Sequence, residues 1–405
     1  MYSNSYLYFV AARVIGMAHR PLLLYYFMHN EMVSSASIIS MLYLFLSGLL
    51  VLFSIPFHID FYKVFFSNKV SLLSARDLIQ KYISSVFTHI TVITPIILII
   101  LIYSVDEVYL ALLITLLLLV EKIYDEIQRF LLFSKEFVKW SNIFLIKMLV
   151  PIILSIVTNY LFSVDFVISY IIFSILIGFV VCIGAMPKYI KRMLKIGVSN
   201  IRGNITFYTK QVREKYFSRY IISILNRNIM NVDKWIINSM NISALFIELT
   251  FLSQLGNGIS IGGNYLYVSN RRSDLINVNN NLSSLWNMGK VLIYTTIMVL
   301  GLYLALLLMK FSGLIELDYF SAFLIFILFM SYAIYAVTEP ISEYLFWNKD
   351  AKLIIAIEIV FYLFMITGGY LIYINGSIIY IPILLLISIL LRLLMQINLI
   401  SRARV

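Results

Sequence analysis

Twelve apolar stretches constrain what this chain can fold into. They run at roughly 5–28, 35–55, 82–103, 106–130, 142–161, 164–186, 219–239, 244–268, 288–310, 318–338, 351–374 and 377–397. An α-helix rises about 1.5 Å per residue, so about 20 apolar residues cross the roughly 30 Å of hydrocarbon in a bilayer. Inside that layer each backbone N–H and C=O must be satisfied within the protein, and stretches of this length do so as helices. The chain is 61% hydrophobic and only 13% charged over 405 residues, which excludes a soluble domain. The fold class expected is an all-α membrane protein with about twelve transmembrane helices.

Charges inside the apolar stretches carry the functional information. Arg13 and Arg20 lie seven apart in the first stretch, and Arg227 and Lys234 lie seven apart in the seventh. At 100° per residue that spacing returns to nearly the same helix face, so each pair forms a stripe two turns long. A cation near the bilayer centre costs roughly 2.5–3.5 kcal/mol even on lenient insertion scales, and it is tolerated where it faces a watery, protein-lined interior. The four together predict a cationic cavity, with snorkelling toward an interface as the competing reading for Arg13 in particular. Pro21, directly after Arg20, is expected to kink the first helix. His19 beside Arg20 and Asp233 beside Lys234 occupy equivalent places.

The other cations set orientation. With the amino terminus inside, the loops on that side hold 26 of the 31 Lys and Arg, counting five near 121–147 and three at the carboxyl end, while the opposite loops hold only Lys310. Both termini are therefore expected in the cytoplasm, and the net charge of +11 reads as topology and headgroup attraction, not nucleic-acid binding. The first stretch lacks the basic leader and uniform core of a signal peptide, so it is expected to be retained. The single cysteine, Cys182, forms no intrachain disulfide and reads as packing.

The chain also repeats itself. A shift of 214 places Arg13 on Arg227, Arg20 on Lys234, Lys135 on Lys349 and Glu136 on Asp350; a shift of 213 places Glu126 on Glu339, Leu132 on Leu345 and Phe133 on Phe346. Six crossings return a chain to its starting side, so the repeat predicts two six-helix bundles in the same orientation. The expected domains are 1–186, a basic cytoplasmic linker at 187–218, and 219–405.

With these features in place, the chain resembles the bacterial O-antigen and capsular polysaccharide flippases of the multidrug/oligosaccharidyl-lipid/polysaccharide exporter superfamily. The resemblance rests on the length, the twelve stretches in two halves, the run from Asn226 to Ile237 with its Asn-x-Asp-Lys step, and Glu121-Lys122 in the fourth stretch. It implies a fold like that superfamily's exporters and a location in the bacterial inner membrane. The implied substrate is an undecaprenyl-diphosphate oligosaccharide, with a polysaccharide polymerase and a chain-length regulator as candidate partners. Arg13, Arg20, Arg227 and Lys234 would then be substrate-binding residues, since fixed cations suit a diphosphate. Tyr25, Tyr26, Trp235, Tyr265 and Tyr267 are candidates to stack on sugars. One departure is the glycine-rich eighth stretch, with Gly256, Gly258, Gly262 and Gly263, which reads as close packing or local flexibility.

Three embedded carboxylates, Asp233, Glu248 and Glu358, are candidates for proton or sodium coupling, whereas Glu121, Asp125, Glu126, Glu339 and Glu343 read as residues of cytoplasmic helix ends, with Asp125 and Arg129 as an exposed pair. The segment 56–76 alternates Phe57, Phe61, Phe65 and Phe66 with Lys63, Lys69 and Arg76 and suits an interfacial amphipathic helix. No metal-spaced cluster, phosphate loop or nucleophile elbow occurs in the sequence, so neither an enzyme nor a cofactor is expected. The rival readings are an O-antigen polymerase or ligase, disfavoured by the short external loops, and a small-molecule exporter of the same superfamily, for which an acidic cavity is expected.

Overall fold

The computed structural model describes residues 4–54, 72–105, 107–133, 136–185, 210, 216–276, 281–348 and 351–401. It is all-helical, with no strand among the described residues. The helices are α1 (Asn4–His29), α2 (Val33–Gly48), α3 (Leu72–Ser104), α4 (Val108–Phe133), α5 (Phe137–Phe162), α6 (Phe166–Ala185), α7 (Phe217–Asn228), α8 (Val232–Ser239), α9 (Ser243–Ile276), α10 (Asn281–Phe311), α11 (Ala322–Asn348), α12 (Ala351–Ile374) and α13 (Ile381–Ser401). Helix occupies most of each of the twelve apolar stretches among the described residues. Eight helical segments among the described residues are long and apolar enough to cross a membrane, and the chain is a multi-pass membrane protein by that measure. The segment 55–71, with most of the expected amphipathic helix, lies outside the described residues. So does the basic linker 187–218, apart from Lys210 and 216–218.

The chain divides into two compact units that are not contiguous in sequence. Unit 1 is Met1–His19 with Phe45–Ser223; unit 2 is Arg20–Leu44 with Ile224–Val405. The boundary between them falls inside α1, just before Arg20 and Pro21, and again inside α2 and α7. Compared with the expected domains 1–186 and 219–405, residues 20–44 group with the later part of the chain, and the later boundary falls at Ser223/Ile224.

In unit 1, α6 packs along α4 and α5, and α3 packs along α4. Phe9, Trp140 and Phe144 form an aromatic core in which the Trp140 ring lies 4.6 Å from Phe9 and 4.7 Å from Phe144. Gly16 of α1 lies against Phe144, where any side chain would collide with the ring.

In unit 2, α11 is central and packs against α9, α10 and α13, while α12 packs against α13. The glycines of α9 divide by role. Gly256 sits flat on the Tyr332 ring, where an added Cβ would come within 2.5 Å of Cδ2, and Gly262 meets Met298, but Gly258 faces open space. Close packing thus accounts for two of the four, and the Gly263 side-chain position lies outside the described residues. Gly256→Ala is expected to destabilise the protein by about 1–3 kcal/mol through overpacking, whereas Gly258→Ala, with open space for its Cβ, is expected to stabilise it by up to about 1 kcal/mol. Thermal unfolding of the two detergent-solubilised variants checks this.

Candidate functional site

The seventh apolar stretch is a helix in two pieces. A polar run, Asn226-Arg227-Asn228, ends α7, and the three residues Ile229–Asn231 wind as a 3-10 turn before α8 resumes at Val232. Short polar side chains compete for backbone groups and weaken an α-helix, which is consistent with a break at this place. Immediately after it, Asp233 and Lys234 are fully buried in unit 2. The Lys234 ammonium lies 3.2 Å from Asp233 Oδ1 and 3.5 Å from the Tyr332 hydroxyl of α11, and it donates to the Met230 carbonyl within the break. Asp233 Oδ1 also accepts the Lys234 backbone N–H at 2.8 Å. Its other oxygen, Oδ2, has no hydrogen-bond partner among the described residues. The chemistry on hand is a cation held by one carboxylate, one carbonyl and a phenol.

A second buried cluster braces α7 just before the break. The Arg392 guanidinium of α13 forms an ion pair with Glu358 of α12, both side chains fully buried, with the shortest contact at 2.7 Å. The same guanidinium donates to Thr338 Oγ1 at 2.8 Å and Ser342 Oγ at 2.7 Å on α11, and to Asn226 Oδ1 at 2.8 Å on α7. Gln396 adds a hydrogen bond to Ser342 at 2.7 Å. One guanidinium thus ties four helices. By position along the chain Arg392 counts among the cations of the carboxyl end, but it lies inside the twelfth apolar stretch, and the criterion that singled out Arg13 applies to it equally.

The other predicted residues are distributed as follows. Arg13 belongs to unit 1, half-buried over the Trp140 ring at 5.6 Å. Arg20 belongs to unit 2, half-buried over Tyr43 at 5.1 Å. Arg227, also in unit 2, has an exposed side chain. The four cations are therefore not gathered within one unit. Glu248 near the start of α9 accepts the backbone N–H groups of Asp318 at 2.9 Å and Tyr319 at 3.1 Å. In the same connection between α10 and α11, Lys310 donates to the Leu317 carbonyl and Tyr25 to the Leu314 carbonyl, both at 2.9 Å. Of the aromatic candidates, Tyr25 is engaged in this way, Tyr26 is exposed and Trp235 half-buried, while the side chains of Tyr265 and Tyr267 lie outside the described residues.

Unit 1 corrects a part of the charge assignment. Lys122 and Lys147, counted among loop cations, are buried at 1% and 4% exposure. Lys122 pairs with Glu126 at 2.5 Å and donates to Ser54 at 3.1 Å; Lys147 pairs with Glu121 and lies 3.9 Å from the Tyr124 ring centroid. Asp125 and Arg129 do pair at 2.6 Å, but Arg129 is only 13% exposed and also reaches Glu126, and Tyr82 of α3 donates to the same Glu126. The carboxylates expected on an exposed helix end instead form a seam on α4. They are there because the two buried lysines need counter-charges. Glu339 and Glu343 lie on α11, their side chains outside the described residues.

Comparisons of the chain with family models, with curated proteins and with solved structures give no match.

Proposed function

We propose that this protein is a flippase of a bacterial inner membrane, translocating undecaprenyl-diphosphate-linked oligosaccharide repeat units by alternating access. The observation that carries the reading is Lys234, a cation with 2% side-chain exposure set directly after an interrupted helix. Ionisable groups kept in membrane helices mark substrate or ion paths, and interrupted helices surround the binding sites of many transporters. A lysine ammonium, as a mobile point charge, suits a diphosphate. Arg20 and Arg227 of the same unit, and Arg13, are the further cations of this reading.

Coupling follows from the pairing. If a diphosphate oxygen takes the Lys234 ammonium, Asp233 is left as an uncompensated buried carboxylate, and uptake of a proton or sodium ion there would restore neutrality. Glu248 and Glu358 are engaged by a loop backbone and by Arg392, which favours Asp233 among the three coupling candidates. The reading assigns no catalytic residue and no cofactor. Both termini are cytoplasmic in it, and a polymerase and a chain-length regulator are its expected partners.

Deletion of the gene in its native host tests the reading. Lipid-linked repeat units are expected to accumulate with none displayed at the cell surface. Display of single units that are never polymerised would overturn it in favour of a polymerase.

A further inference from the structure

The break between α7 and α8 is not left to solvent. At the end of α7, three successive carbonyls are taken by side chains: Ile224 by the Asn228 amide at 3.1 Å, Leu225 by the Tyr362 hydroxyl at 2.6 Å, and Asn226 by the Tyr335 hydroxyl at 3.1 Å. The last carbonyls of a helix have no partners within it, so the two tyrosines, from α12 and α11, satisfy groups that the break exposes. Leu225 and Asn226 are also the carbonyls that the N–H groups of Ile229 and Met230 would reach if the helix ran on unbroken. Each tyrosine hydroxyl therefore stands where a continuous helix would place its own hydrogen bond. Arg392 fixes the same turn from its side-chain face through Asn226 Oδ1.

The geometry points to a rotary hinge at Ile229–Asn231, in which Tyr335 and Tyr362 are positioning residues that hold the wound-down state and thereby set which way Lys234 and Asp233 face. Its purpose, though not its existence, rests on the flippase reading above. A 3-10 turn advances about 120° and 2.0 Å per residue, an α-helix about 100° and 1.5 Å. Rewinding three residues would therefore turn α8 by about 60° relative to α7 and draw it in by about 1.5 Å. That is enough to carry the Lys234 ammonium off Tyr332 and onto a different face. The surface α8 turns against is suited to it. Gly369 of α12 lies close under Ile236, where an added Cβ would sit 3.1 Å from Ile236 Cδ1. On the α7 side, the Arg392 brace holds the turn that stays still. The two ends of the break are anchored at different residues, α7 through Tyr335, Tyr362 and Arg392, and α8 through the Lys234 contact to Tyr332 and the packing of Ile236 on Gly369. A short element whose two ends are held at different residues is the kind of place where a two-state switch is built.

Single cysteines placed one at a time at 221–223, 232 and 235–239 in a Cys182→Ala background report the register. Their reaction rates with N-ethylmaleimide are measured in the full-length protein, with and without Tyr335→Phe/Tyr362→Phe. The unmodified tyrosines should give protection at 232 and 237, which are buried, and reactivity at 239, which is exposed. Removing both hydroxyls leaves the Leu225 and Asn226 carbonyls without those partners, which favours the α winding that satisfies them. The expected result is a change of phase: position 237 gains at least tenfold in rate while a previously reactive position loses a similar factor, with the order of rates at 221–223 unchanged. A uniform rise across the scan, or an unchanged order of rates, overturns the hinge. If the double variant fails to fold, Tyr362→Phe alone, which frees the Leu225 carbonyl, is read by the same criterion. Because labelling needs no transport, a phase change alongside normal export in the gene deletion would sink the flippase reading and leave the hinge standing.

Discussion

Arg392→Ala is expected to be the most damaging single substitution in the chain, lowering stability by about 3–5 kcal/mol, because it leaves Glu358 as an unpaired charge in a buried site. The side chains of both partners are fully buried, so water cannot take over the vacated hydrogen bonds. Asn226, Thr338 and Ser342 lose a partner at the same time. The same principle gives the control. Arg392→Met combined with Glu358→Leu removes both charges and keeps the volume, so it should recover most of the loss, although the hydroxyls and the Asn226 amide remain less well satisfied. Thermal unfolding in detergent, with folded yield by gel filtration, measures both. A single variant as stable as the parent would mean that the cluster carries no net energy.

Lys234→Met is expected to reduce surface export of lipid-linked units by at least tenfold, and alone it should also destabilise the fold by about 3–5 kcal/mol, since Asp233 is then buried without its cation. The two effects separate in the double variant Asp233→Asn/Lys234→Met. There no charge is stranded, so stability should return toward that of the parent while export stays lost. Export restored together with stability would show Lys234 to be a structural cation whose only role is to balance Asp233. Quantification of surface polysaccharide, normalised to folded protein in the membrane fraction, separates these outcomes. Arg20→Ala, at a half-buried position over Tyr43, should reduce export with little change in stability.

Among the described residues, hydropathy alone located the long apolar helices, because apolar length is a local property. It also located Lys234 and Asp233, whose charges are anomalous within their own stretch. What it could not supply was partnership. Lys122 and Lys147 lie inside the fourth and fifth stretches, yet counted for orientation they read as loop cations; their burial depends on Glu126 and Glu121 being present on α4 to receive them. The same holds for Tyr335 and Tyr362, two among 29 tyrosines, whose importance comes from carbonyls more than a hundred residues away that a broken helix has set free. Arg392 shares this with Lys122 and Lys147: its position within an apolar stretch is visible in the sequence, and it escapes notice when cations toward the end of a stretch are assigned to orientation by default.

The exchange of residues 20–44 between the two units also governs how the protein must be made. These residues leave the ribosome about 180 residues ahead of Ile224, where the rest of unit 2 begins. Until then a hairpin carrying Ser40 and Tyr43, both buried in the finished protein, waits in the membrane without its own unit. A chain cut in the basic segment at 187–218 would give two fragments of which neither can complete a unit, so the protein cannot be assembled from independently folded halves, however well its sequence repeats.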